Sequence, residues 1–251
     1  MEIELWQWLL AALGALLVGL GKGGLPGVGN LTVVIFALTF DAKASVGLLL
    51  PILISADIVA IAIYRREVHW GHLWKLLPWM MVGTLIGYFT FARISSEQVR
   101  MLIGITVLGM TALHFLRQWS LKRKGPAAED LLPHTRAFAG GMGILGGFAT
   151  MIANAAGPVA QLYFLAVGLP KMALIGTGAW CFFLINLFKV PFQVDLGIIH
   201  LDSMRVSLTL APVAMIGALV ARSIVVHIRQ NWFEFLIWTF IIVAGVRMLW
   251  G

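Results

Sequence analysis

The chain has 251 residues, of which 60% are hydrophobic and only 12% charged, with a mean hydropathy of +0.93. A soluble domain carries about 25% charged residues, so composition excludes an ordinary water-soluble globule and points to lipid as the solvent. The formal charge of +7 does not signal nucleic acid, because the basic residues cluster in short loops between apolar runs, as positive-inside bias expects.

The opening Met1-Glu2-Ile3-Glu4 is acidic, whereas a secretory leader begins basic, so residue 5 onward is expected in the mature chain. Ten apolar segments follow, at about 5–20, 28–40, 44–64, 76–92, 101–116, 137–153, 156–168, 172–190, 206–221 and 233–249. The one long polar stretch, 117–136, holds Arg117, Lys122, Arg123, Lys124, Gly125-Pro126 and Arg136. It reads as a basic cytoplasmic linker between a first transmembrane repeat, 1–116, and a second, 137–251. The expected fold is an all-α polytopic membrane protein of two pseudo-symmetric halves, each a glycine-broken helical hairpin plus three long helices.

Internal matches support the duplication. At an offset of 128 residues Gly29 meets Gly157, Phe36 meets Phe164, Lys43 meets Lys171, and His72-Leu73 meets His200-Leu201. Lengths then bear on topology. Segment 5–20 reaches ~24 Å and segment 28–40 ~20 Å at 1.5 Å per residue. Each is short for a hydrocarbon core of ~30 Å, and joined end to end they are too long for one crossing. A hairpin folded at the glycines fits, which leaves each half an odd number of crossings and makes the halves inverted repeats. Charge counting gives eleven basic residues on the cytoplasmic side against six opposite, but a parallel arrangement gives the same count, so only the lengths favour inversion.

The first break, "GLGKGGLPGVGN" at 19–30, holds six glycines, a proline and Lys22. Irregular backbone at membrane depth survives only against protein or a water-filled cavity, so this stretch is expected to avoid lipid. The second break, "IANAAGPVAQ" at 152–161, ends one helix and begins another at Gly157-Pro158. After each break a short helix starts, and its free N–H groups make a ready anion site. Gly19, Gly21 and Gly24 match G-x-G-x-x-G, but an apolar helix precedes them instead of a strand, so no dinucleotide site follows. A phosphate loop needs Ser or Thr after Gly-Lys, and Gly23 stands there.

Lys22 has two open readings: a cation for an anionic substrate, or a snorkelling topology charge. The candidate substrate-binding set is Lys22, Gly23, Gly24, Gly27 and Asn30 from the first break with Asn154, Gly157 and Gln161 from the second. Ordinary interhelical hydrogen bonding remains the alternative for the amides. Asp57 in segment 44–64, with Asn186 and Lys189 in segment 172–190, forms a candidate coupling or ion-pair set on equivalent helices. Asp57 reads either as a proton carrier or as the structural partner of Lys22 or Lys189. His69, His72 and His200 sit at segment ends beside Trp70 and Trp74, which favours interfacial anchoring over a metal or proton relay. Cys181 is the single cysteine, reads as packing, and has no partner for an internal disulfide. No metal or cofactor is implied.

Residues 19–70, from "GLGKGG" to "REVHW", resemble the glycine-rich first repeat of the TauE/SafE family, the toluene-sulfonate uptake permeases. "IANAAGPVAQLYFLAVGLPKMALIGTGAWCFFLINLFKVP" is similar to that family's second repeat, with its Gly-Pro pair, its "LPK" and its "N-x-x-K" at Asn186–Lys189. Many members carry three glycines followed by Val-Pro in each repeat; here Gly-Lys-Gly-Gly and Asn-Ala-Ala-Gly-Pro stand instead. The resemblance implies inner-membrane transport of sulfite or a small organosulfur anion, and it carries over no set of binding residues. The expected partners are therefore a small anionic substrate and the bilayer, with proton coupling and a homodimer as candidates. Rival functions are a transporter or channel for another small anion such as a carboxylate and, less well supported, an intramembrane enzyme. The chain has neither H-E-x-x-H nor G-x-S-x-G to serve the last.

Overall fold

A computed structural model describes residues 3–25, 28–124, 136–225, 239, 241–243 and 245–250. The described residues form helices without strands: α1 (Leu5–Lys22), α2 (Val28–Thr39), α3 (Ala42–Tyr64), α4 (Trp70–Arg93), α5 (Ser96–Lys124), α6 (Arg136–Ala153), α7 (Gly157–Ala166), α8 (Lys171–Asp195), α9 (Leu201–Val225) and a last short helix, α10 (Ile241–Trp250). Six of them are long and apolar enough to cross a membrane, so the chain is an all-α polytopic membrane protein. Helix α5 runs on into the polar stretch as far as Lys124, and residues 125–135 lie outside the described residues.

Local chemistry sets the helix boundaries. The Asp41 carboxylate caps α3, accepting from Lys43 N at 3.0 Å and Ala44 N at 3.1 Å. Pro158 occupies the first turn of α7, where a missing N–H leaves no partner unsatisfied. Between α1 and α2 the chain doubles back. Gln7 Nε2 donates to the Thr39 carbonyl at 3.1 Å, and Gly14 packs against Phe36, so the pair is an antiparallel hairpin. Helices α6 and α7 form a second one, with Phe138 and Tyr163 ring centroids 6.3 Å apart and Gly146 facing Val159.

Each hairpin packs on the fourth helix of the other half. Gly19 of α1 lies on the backbone of Ala214 and Ala218 in α9, and Gly147 of α6 lies on the Met80 carbonyl of α4. A Cβ at either glycine would overlap that backbone, so the close approach requires glycine. Glycine contacts also give direction. Gly83 meets Ile144 and Gly87 meets Met151, so α4 and α6 run parallel, as do α1 and α9. Helices α3 and α8 run antiparallel: Gly47 abuts Ile198, Asp57 meets Asn186, and Gly176 abuts Tyr64. Tyr64 Oη donates to the Gly23 carbonyl at 3.2 Å, fixing α1 parallel to α3. The two hairpins therefore enter the bundle from opposite ends and overlap along α3, the first tip reaching the level of Tyr64 and the second that of Val46.

Candidate functional site

The first tip ends in a buried charge pair. Lys22 is the last residue of α1, and its Nζ lies 2.6 Å from Asp57 Oδ1 in the middle of α3. Asp57 is fully buried and is the only buried acid among the described residues. Its other oxygen accepts from Asn186 Nδ2 at 2.7 Å, so both carboxylate oxygens are engaged. The Lys22 ammonium also sits 4.5 Å from the Phe182 ring centroid, a cation–π contact that holds it beside α8.

The second tip is built on different chemistry. Asn154 adopts φ 52°, a left-handed conformation that asparagine tolerates better than most residues and that turns the chain between α6 and α7. Its Oδ1 accepts from Lys189 Nζ at 2.6 Å. The same ammonium donates to Thr150 Oγ1 at 3.0 Å and to the Thr150 carbonyl at 3.1 Å. Three donors meet three acceptors, and among the described residues no carboxylate lies within ion-pair distance. Asn154 Nδ2 donates to the Val46 carbonyl at 3.1 Å, tying the tip to α3.

Between the tips lies a cavity of about 140 Å³. Gly21, Lys22, Gly29 and Asn30 line it from one hairpin, and Thr150, Asn154, Gly157 and Gln161 from the other. The opening turns of α2 and α7 thus border the same space. Asn30 Nδ2 is buried against that space without a hydrogen-bond partner. A buried unpartnered donor carries a free-energy penalty of about 1–3 kcal/mol, which a hydrogen-bond acceptor reaching Asn30 would relieve. Counting Lys22, Lys189 and Asp57 as ionised, the interior holds one net positive charge.

Six of the expected site residues line the cavity: Lys22, Asn30, Asn154, Gly157, Gln161 and Asn186. Gly23 does not; it packs on Ala218 and Ala221 of α9. Gly24 makes the turn, at φ 115°, and Gly27 lies outside the described residues. Asp57 and Lys189 stand behind the wall, each bonded to residues that form it. Of the two lysines left open as partners for Asp57, the structure selects Lys22. Sequence reading missed Thr150, Phe182 and His114. Thr150 precedes Asn154 and Phe182 precedes Asn186 by one helical turn, a spacing that places each on its neighbour's face. His114 stood out only as a titratable group in an apolar run, and its Nε2 lies 3.1 Å from Gln118 Nε2.

The remaining candidates sit away from the cavity. His69 and His72 have ring centroids 6.3 Å apart at the start of α4, beside stacked Trp70 and Trp74. His200 closes the first turn of α9, its Nδ1 accepting from Ser203 N at 3.0 Å. Among the described residues no cluster of His, Cys, Asp or Glu is suited to a metal ion. Cys181 is buried against Met80, with the two sulfurs 3.5 Å apart.

Residues 11–248 match the family model described as Sulfite exporter TauE/SafE. Among curated proteins and among solved structures, nothing matches the chain.

Proposed function

Given that this chain belongs to the TauE/SafE sulfite exporter family, and so is a membrane transporter, we propose that it carries a small organosulfur anion, a sulfonate or sulfite, across the cytoplasmic membrane. The observation that carries the reading is the cavity between the hairpin tips. It combines one net positive charge with a buried, unpartnered N–H donor on Asn30. A monovalent anion entering there balances the charge and satisfies the donor.

The Lys22–Asp57 pair suggests how transport is coupled. An anion must compete with the Asp57 carboxylate for the Lys22 ammonium. Proton uptake by Asp57 removes that competitor, so anion and proton travel together in this reading; the substrate's own gradient is the alternative driving force. The halves act as inverted repeats, a reading supported by the antiparallel course of equivalent helices α3 and α8 and by hairpins that enter from opposite ends. The end bearing Arg65, Arg66, Lys75 and Arg136 is assigned to the cytoplasm by its positive charge.

The test is uptake of labelled sulfite and of small sulfonates into proteoliposomes, with and without an imposed pH gradient. Saturable uptake that an inward proton gradient accelerates, and that Lys22→Met abolishes, is the expected result. Flux that never saturates indicates a channel, and equal competition by acetate indicates a general carboxylate site. Either result overturns the proposal.

A further inference from the structure

Gln193 is fully buried, and neither its Nε2 nor its Oε1 has a hydrogen-bond partner. Two orphaned polar atoms on one core side chain are a double penalty that an apolar residue of the same size would avoid. The position gives the amide a purpose. Along α8, Phe182, Asn186, Lys189 and Gln193 recur at spacings of four, three and four, which puts them on one helix face. Phe182 and Asn186 line the cavity. Lys189 comes next and is covered by Thr150 and Asn154 at the tip of the second hairpin. Gln193 lies one turn beyond, roughly 10 Å along the axis from Asn186.

The polar stripe thus runs on past the point where the cavity stops, and what interrupts it is the α6–α7 tip. Pro191, between Lys189 and Gln193, removes one hydrogen bond from the α8 ladder and leaves the helix a natural place to flex. Past Gln193 the way is closed by Gly47 of α3 against Ile198, and Asn154 is bound to Val46 nearby.

We propose that Lys189 and Gln193 form a second anion-binding station, occluded in this conformation by the tip of the second hairpin. This inference rests on the anion-carrier reading above and extends it by a step. When the α6–α7 tip withdraws, Thr150 and Asn154 release the Lys189 ammonium, and a small sulfur oxyanion moves from the cavity onto that ammonium and the Gln193 Nε2–H. Asn186, between the stations, stays bound to Asp57. The Gln193 Nε2–H is left without a partner in the closed state because its partner is the travelling anion.

The experiment compares wild type, Gln193→Met and Gln193→Asn in three measurements: equilibrium sulfite and methanesulfonate binding in detergent, counterflow in proteoliposomes, and thermal unfolding. For Gln193→Met the second station predicts unchanged equilibrium binding, a raised Tm, and counterflow reduced roughly tenfold. Gln193→Asn, which keeps an amide donor, recovers part of the flux. Wild-type flux in Gln193→Met overturns the second station while leaving the anion carrier intact. A fall in Tm together with flux, or failure of Gln193→Met to fold while Gln193→Asn behaves as wild type in all three measurements, also overturns it, because Gln193 is then a structural residue. Absence of both binding and flux in wild type overturns the carrier reading itself, and this station with it.

Discussion

The two hairpin tips occupy equivalent places and hold a lysine in opposite ways. In the first, the lysine belongs to the hairpin, as Lys22, and its partner on the long helix is the carboxylate of Asp57. In the second, the lysine belongs to the long helix, as Lys189, and its partners on the hairpin are the neutral oxygens of Thr150 and Asn154. Asp57 of α3 and Asn186 of α8 touch across the centre at 2.7 Å. The difference teaches that two hairpins of like architecture can place charge in opposite ways. One half carries its own counter-ion; the other supplies a cation that only hydrogen bonds satisfy. With Lys22, Lys189 and Asp57 all ionised the interior is short of one negative charge, which an anion in the cavity beside Lys22 would supply.

The sharpest way to break the comparison is to take away the single counter-ion. Asp57→Leu leaves Lys22 and Lys189 unbalanced, and unfolding in detergent should show a loss of about 3–5 kcal/mol. Asn154→Leu strips one neutral acceptor and should lose only about 1–3 kcal/mol, and equal losses would mean that the tips are held alike. Added sulfite or sulfonate should restore part of the stability in Asp57→Leu, because it supplies the missing charge.

The hairpins should prove equivalent at their packing seams, where the comparison predicts no difference. Gly19→Val and Gly147→Val each drive a side chain into the backbone of a neighbouring helix and should cost about 1–3 kcal/mol or more in the same unfolding assay. Gly141→Ala meets nothing within 4 Å and should be neutral or stabilising by up to about 1 kcal/mol. A smaller effect follows from making the second tip resemble the first. Asn154→Asp gives Lys189 a counter-ion, cancels the net positive charge, and should weaken equilibrium binding of the anion roughly tenfold. Least of all, Thr150→Val removes one of three acceptors and should cost about 0.5–1.5 kcal/mol of stability, read by the same unfolding assay.

Much of the site was legible because its residues are rare in their surroundings. A lysine amid glycines, an aspartate in a 21-residue apolar run, and an Asn-Ala-Ala-Gly-Pro break stand out in a chain with so few charges. The hairpins followed from the glycine breaks and from length, since the second helix of each pair, 12 residues in α2 and 10 in α7, is too short to cross alone. What stayed hidden was pairing. Gly83 with Gly87, and Gly143 with Gly147, have the four-residue spacing of close helix contacts, yet spacing names no partner. That α6 lies on α4, and α1 on α9, emerges only in three dimensions. The choice of Lys22 as the partner of Asp57 was equally out of reach, because two lysines at membrane depth competed for one acid. Gln193 was invisible for another reason: a glutamine near a helix end looks like any interfacial residue until its burial is seen.

The central claim is that both tips hold one anion between them, and an experimentally determined structure with a bromoalkanesulfonate at saturating concentration tests it most directly. The account predicts bromine-marked density in the cavity bounded by residues 21–30 and 150–161, with the sulfonate in hydrogen-bond reach of Asn30 Nδ2 and beside the Lys22 ammonium. Density elsewhere with that cavity unfilled, or tips that stand apart with the ligand bound to only one, would contradict it.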